Sequence, residues 1–247
     1  MPSYVVTGSN RGIGLAFIRQ LSKSPKNIVF ALARNPDTPH ELQDLHKSRK
    51  NVHLLQADIT DVKALKAAAT KVASVTDGKL DYLVNNAAFA DFSRQALPLD
   101  GDAEGQEELL EDDLLKTFKV NVIGTIHTTN TFLPLLRKTA ETSTAKIICL
   151  STALSDPEFT VRLQLTNLSP YSASKAALNM VVAKYAAEYK DNSNIVFLAI
   201  SPGLVDTTVK PPTPEELENY MKMIVACKKF YPDWIGVPLT PEQSQWL

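Results

Sequence analysis

The chain has 247 residues, 44 % of them hydrophobic, with 26 basic against 27 acidic side chains and a net charge of −1. That balance gives no electrostatic reason to expect nucleic acid or an anionic membrane as a partner, and no apolar run approaches the roughly 18 residues of a membrane span. Two cysteines, Cys149 and Cys227, are too few for a disulfide framework, and "MPSYVVTGSNRG" lacks a leader pattern, so a cytoplasmic protein is expected.

The first strand is predicted at "SYVVT" (3–7), and the next ten residues carry Gly8, Gly12 and Gly14 into a helix over 12–23. A tight turn there lets backbone approach a pyrophosphate, whose charge faces unpaired helix N–H groups. The spacing is GxxxGxG, and a glycine-rich turn without chemistry would show the same residues. The second strand, "NIVFALA" (27–33), ends on Ala33 followed by Arg34. Folds that bind an unphosphorylated dinucleotide place an acid about 20 residues past the glycines, to hold the ribose 2′-OH. Here the acid is absent and a guanidinium stands next to its position, which favours a 2′-phosphate, with Arg11 as a second cation. Either arginine could instead be an ordinary surface charge.

A helix at 38–48, a strand at 52–57, a helix at 61–76 and a strand "LDYLVN" (80–85) follow. The acidic stretch 100–113 reads as a solvated loop and the first turn of one long helix, 107–138, where carboxylates suit the dipole. "KIICLS" (146–151) is a further strand, with Cys149 read as a small buried hydrophobe. The segment "FTVRLQLTNL" (159–168) reads as an unusually apolar loop, and a helix over 171–190 opens with "YSASK". Its Tyr171 and Lys175 share one face, one turn apart. That spacing is common, and an incidental pair on a solvated helix fits it equally. A last strand (195–201) precedes "SPGLVDT"; "TPEE" then starts another helix, with Thr213 as cap and Pro214 first. Four scattered histidines (40, 46, 53, 127) lack metal spacing, and no GxSxG elbow occurs. Trp234 and Trp246 are read as packing residues, with a lid or interface role as the alternative.

Strands that are apolar on both faces, alternating with amphipathic helices, predict a single doubly wound α/β domain over 1–247. It would have a parallel sheet in the order 3-2-1-4-5-6 and helices on both faces. A seventh strand near the C-terminus is left open.

Six stretches, "TGSNRGIG", "ADI", "NNAA", "VNVIG", "YSASK" and "SPGLVDT", stand in one order along residues 3–208. Together they resemble the short-chain dehydrogenase/reductase family, and within it the fungal ketoreductases of the norsolorinic acid reductase type. The resemblance implies a Rossmann fold and an NADP(H)-dependent reduction of a small-molecule carbonyl. It implies catalytic roles for Asn121, Tyr171, Lys175 and a hydroxyl that is Thr152 first and Ser151 second. Tyr171 would be the general acid, its pKa lowered from the ~10 of a free phenol by Lys175 together with the cationic nicotinamide. Asn121 would position a water in a proton relay. Cofactor contacts are implied for Gly8, Asn10, Arg11, Gly12, Ile13, Gly14, Arg34, Asp58, Ile59, Asn85, Ala87, Tyr171, Lys175, Pro202, Gly203, Val205 and Thr207. Ala88 stands where the family has glycine, and Thr152 where it has serine. These departures keep a second reading open, a non-catalytic NADP(H)-binding regulator or scaffold. The apolar 159–168 loop points either to a hydrophobic or aromatic substrate or to packing on the segment 208–232, with the segment at about 205–240 on the substrate side. A homodimer through helices 107–138 and 171–190 is expected, with a homotetramer as the alternative.

Overall fold

The structure is a computed structural model that describes residues 1–35, 40–91, 99, 106–192, 194–207, 213–233 and 236–244. Trp234, Trp246 and residues 100–105 of the acidic stretch 100–113 lie outside these residues.

Six strands alternate with helices in chain order. They are β1 (Ser3–Thr7), β2 (Ile28–Ala33), β3 (Val52–Gln56), β4 (Tyr82–Asn85), β5 (Ala145–Leu150) and β6 (Ile195–Ile200). All pair in parallel, in the order β3-β2-β1-β4-β5-β6, so the order reverses between β1 and β4. Alternate side chains enter two separate cores. Val5, Phe30, Leu32, Leu83 and Ile147 face one side of the sheet, where α3 (Val62–Val75), α5 (Thr125–Ala140) and α7 (Ser169–Glu188) cover them with Leu65, Phe132, Leu136 and Leu178. Val6, Val29, Ala31, Val84 and Ile148 face the other, under α1 (Gly12–Leu21) and α2 (His40–Ser48). Strands sandwiched this way must be apolar on both faces, which explains the near-continuous Val/Ile/Leu runs. Cys149 and Cys227 are both free and buried.

Two expectations need correction, and the question of a seventh strand is answered for the described residues. The predicted long helix over 107–138 is broken into α4 (Glu107–Phe118), a π-helical turn (Lys119–Gly124) and α5. Such a turn adds a residue to the helical circuit and re-aims the side chains on it, here Asn121. The 159–168 segment is not a plain loop. Asp156 accepts the Phe159 N–H and Pro157 occupies the first turn, which starts α6 (Pro157–Leu163). Gln164, with φ 53°, ends it. The sheet stops at six strands among the described residues. In place of a seventh strand, Val205 and Leu239 form one isolated parallel bridge, and Leu198 on the edge strand β6 stays 37 % exposed. α8 (Pro214–Phe230) begins where "TPEE" places it.

Candidate active site

The expected catalytic and cofactor-binding residues lie at or beyond the carboxyl ends of the strands, or on the helices that lead away from them. The crevice beyond those ends is where open α/β sheets bind ligands.

The β1–α1 turn is shaped by close backbone contact. A Cβ built on Gly14 would lie 2.3 Å from the Gly8 carbonyl oxygen and 2.5 Å from Asn86 Nδ2. Gly8 itself has φ +63°, and its own Cβ would meet Ala87 Cα at 2.8 Å. The turn and the β4 end are also tied by hydrogen bonds. Asn86 Nδ2 donates to Thr7 O at 2.8 Å and Gly8 O at 3.1 Å. Thr7 Oγ1 accepts the N–H groups of Asn86 and Ala87, each at 3.0 Å. Asn86 was not among the residues expected from sequence. Its only signal there is a second amide in "NNAA", and its partners lie 78 and 79 residues away.

The first turn of α1 has no side-chain cap and no acidic residue, so its N–H groups and positive dipole end remain available to an anion. Arg11, in extended conformation at φ −161°, is the cap residue, and Asn10 and Ile13 flank it. Arg34 is exposed just past β2, while Ala33 before it is buried. Among the described residues neither Arg11 nor Arg34 forms an ion pair. The turn after β3 is fixed by Asp58 Oδ1, which accepts from Thr60 N at 2.8 Å and Thr60 Oγ1 at 2.7 Å. A glycine-shaped cradle, free helix donors and an unpaired arginine in place of an acid fit a dinucleotide phosphate on this edge.

Two expected contacts point elsewhere. Asn85 is turned into the protein: its Nδ2 donates to Thr129 Oγ1 at 3.1 Å and reaches Cys149 Sγ at 3.5 Å, and its buried Oδ1 has no partner among the described residues. Ile59 is a core side chain, packed where a Cβ on Gly124 would come within 2.9 Å of it. Only the main chains of these two residues can face a cofactor.

Lys175 is buried, and its Nζ donates to the Leu150 carbonyl at 2.6 Å, at the end of β5. It also stands 5.7 Å from the Tyr171 ring centroid. Burial pushes Lys175 down to about 8, with a small opposing contribution from Cys149. Burial pushes the half-buried Tyr171 phenol up to about 12. The expected lowering belongs to Lys175 together with a cationic nicotinamide; in the protein alone burial sets the phenol's value. The ammonium is committed to Leu150 O, and its own charge is disfavoured by the site. Burial also holds Cys149 up at about 11, which leaves its thiol protonated.

Asn121 is fully buried on the π-helical turn and its amide is spent. Oδ1 accepts the Phe89 N–H at 2.7 Å, and Nδ2 donates to Phe89 O at 2.8 Å and Ser174 Oγ at 3.0 Å. The expected water-positioning role cannot fall to this amide; it is left to the Asn121 main-chain carbonyl, which accepts from Thr125 Oγ1 at 2.9 Å. The two candidate hydroxyls differ in the same way. Ser151 is buried and donates to Asn179 Oδ1 at 2.7 Å. Thr152 is half-buried, and its Oγ1 only accepts a long contact, 3.3 Å, from Leu154 N–H, so its own proton remains free.

After β6, Pro202–Asp206 is held by the C-terminal segment. Leu239 N–H donates to Leu204 O at 2.8 Å, Asp206 N–H donates to Leu239 O at 2.9 Å, and Ser244 Oγ donates to Pro202 O at 2.8 Å. Glu242 completes the attachment by pairing with Arg19 on α1, which also holds Glu41. Gly203, with φ +83°, faces Leu239, and Thr207 touches the glycine turn, where a Cβ on Gly12 would lie 3.0 Å from it. Val205 carries the isolated bridge.

The family profile described as short chain dehydrogenase matches residues 3–218. Curated relatives include the short chain dehydrogenase virK of Hypocrea virens, 42 % identical over 99 % of this chain and 89 % of that protein. They also include the short-chain dehydrogenase/reductase AacuF of Aspergillus aculeatus, 40 % identical with the same coverage. Among solved structures, the NADPH-bound carbonyl reductase from chicken fatty liver superposes with a TM-score of 0.73 at 28 % identity, covering 98 % of this chain and 97 % of that one. The Drosophila melanogaster carbonyl reductase Sniffer gives 0.73 at 25 %, with 98 % of each chain covered. The chain belongs to the short-chain dehydrogenase/reductase family, an oxidoreductase family with a Rossmann fold that binds a nicotinamide cofactor. Among the described residues no helix is long and apolar enough to cross a membrane.

Proposed function

We propose that the protein is an NADPH-dependent reductase of a small, hydrophobic or aromatic carbonyl compound. The observation that carries this reading is the pair Tyr171 and Lys175, one turn apart, with Lys175 held on Leu150 O at the end of β5, the strand that Thr152 follows, at the same carboxyl edge of the sheet as the glycine cradle. The bound dinucleotide supplies a hydride to the carbonyl carbon.

The chain's own residues do the rest. Gly8, Gly12 and Gly14 let the backbone close on the pyrophosphate, with Asn10, Arg11 and Ile13 along the turn. Arg34 grips the 2′-phosphate. Asp58, the Ile59 main chain and Ala87 border the adenine side, and Pro202, Gly203, Val205 and Thr207 border the nicotinamide side. Thr152 donates a hydrogen bond to the carbonyl oxygen, which places it within reach of Tyr171. Tyr171, held protonated by burial, gives that oxygen its phenolic proton. Lys175 stabilises the resulting phenolate, returns a proton to it, and is itself re-protonated through a water on the Asn121 main-chain carbonyl. Chain 1–247 acts as one unit, with 205–240 on the substrate side. The structural neighbour titled as NADPH-bound carbonyl reductase supports this reading. We place the protein in the cytoplasm, as a homodimer built on the α4–α5 and α7 faces.

A hydroxyl-for-phenol test is decisive. Tyr171→Phe should lower ketone turnover by at least about a hundredfold while NADPH affinity stays close to wild type. Turnover near wild type in that variant overturns the mechanism. If wild type binds NADPH tightly but reduces no aromatic or aliphatic ketone, the non-catalytic sensor reading, motivated by Ala88 and Thr152, replaces the enzyme.

A further inference from the structure

We propose that the pocket between α6 and α8 is an anion subsite that takes the carboxylate of a flat aromatic substrate. The proposal deepens the reductase reading and rests on it for the word substrate; the ligand chemistry stands on the pocket itself.

The pocket holds about 290 Å³, the small end of ligand-site volumes and enough for one or two fused rings. α6 supplies Val161, Arg162 and Leu163; α8 supplies Ala226, Lys229 and Phe230. The Arg162 guanidinium lies over the Phe230 ring at 5.0 Å and near Tyr231 at 5.8 Å. Tyr231 is itself stacked on Phe159 at 6.3 Å. Lys229 Nζ sits 5.7 Å from the Phe230 ring. A guanidinium carries its N–H donors in a planar fork that a carboxylate accepts bidentately, and the neighbouring rings favour the cation there.

Neither cation has an ion pair among the described residues, and no acidic side chain among them lines the pocket. Both stand in the last turn of a helix, where the dipole favours positive charge. That effect explains a cation on each helix; it does not explain why both converge on one ring. The location also matters. α6 is inserted in the chain between Thr152 and Tyr171, so whatever occupies the pocket lies against the segment that joins the two proposed catalytic groups. Leu163, Ala226 and Phe230 supply the apolar wall, and the cations supply the charge preference.

Titration calorimetry of the full chain with naphthoate, and with neutral naphthylmethanol as its uncharged counterpart, tests this. Saturating NADPH is present in one arm and absent in the other, so that occupancy of the glycine cradle is recognised. Naphthoate should bind in both arms, more weakly as salt rises. Lys229→Gln and Arg162→Gln should each weaken it about tenfold, while Arg162→Lys recovers part of the loss. Tyr171→Phe should bind naphthoate like wild type. Equal affinity for the neutral analogue, unchanged affinity in both glutamine variants, or absence of binding at millimolar naphthoate overturns the subsite. Lys229 is exposed at the end of α8, so its variant reports on charge even if Arg162→Gln disturbs the α6 packing. Naphthoate has no ketone. Failure of turnover therefore leaves this result standing, and failure of naphthoate binding leaves the Tyr171→Phe test standing.

Discussion

Replacing Gly14 by alanine sets two effects of opposite sign against each other. Gly14 is in the first turn of α1 and has an ordinary helical position, so propensity alone predicts that alanine stabilises by about 1 kcal/mol. Packing predicts the reverse. The new Cβ would sit 2.3 Å from Gly8 O, 2.5 Å from Asn86 Nδ2 and 2.9 Å from Gly8 C. Two of these are backbone atoms, so the clash cannot be relieved by rotating a side chain; the helix or the turn must move by roughly 1 Å to restore ordinary contact. Overpacking of that kind costs about 1–3 kcal/mol. Loosening the two Asn86 hydrogen bonds to Thr7 O and Gly8 O adds about 1 kcal/mol each. Net of the propensity gain, a destabilisation of about 2–4 kcal/mol results, or a fall of roughly 4–16 °C in melting temperature for a domain of this size. The displacement also shifts the α1 N–H groups that face the cofactor, so NADPH affinity should fall at least about tenfold. Thermal unfolding and a cofactor titration by fluorescence measure the two quantities separately. A variant that is more stable than wild type and binds NADPH equally would refute the close-approach argument, because propensity would then have won.

Cofactor choice follows from Ala33 and Arg34. NADPH should bind about ten- to a hundredfold more tightly than NADH, with the gap closing as salt rises. Arg34→Ala should narrow the gap, because Arg11 remains, and Ala33→Asp combined with Arg34→Ala should reverse it. Equal wild-type dissociation constants for the two cofactors at one ionic strength would mean that Arg34 is surface charge. Lys175 gives a pH signature in stability. Its folded pKa of about 8 lies below the ordinary 10.5, so between those pH values the unfolded chain holds more protons and stability rises with pH, by up to about 3 kcal/mol. Tyr171 acts oppositely above pH 10, where its folded value of about 12 makes the native state hold the extra proton. Denaturant unfolding of wild type and Lys175→Met from pH 7.5 to 10 should show the rise only in wild type; parallel curves would place Lys175 in a solvated setting.

The residues themselves determined the features that depend on near neighbours. Strands apolar on both faces dictate a sheet covered twice, since a strand exposed on one face alternates instead. The glycine turn and the Tyr171/Lys175 pair were legible because a helical turn and a tight turn are defined within a few residues. What side chains do across long sequence separations was decided only by the tertiary structure. "YSASK" puts Lys175 on the face of Tyr171, but the carbonyl that captures its ammonium belongs to Leu150, 25 residues earlier. "VNVIG" marks Asn121, but its amide is consumed by Phe89, 32 residues away, on a π-helical turn that periodicity over 107–138 could not show. Thr152 and Ser151 are equivalent as neighbours in the chain; Asn179 on α7 separates them by binding one and leaving the other free. "NNAA" presents two amides side by side, and strand alternation turns Asn85 into the core and lets Asn86 reach the glycine turn. Period and turn chemistry are local, whereas the partner of a buried polar group is chosen by whichever distant element the fold brings within 3 Å.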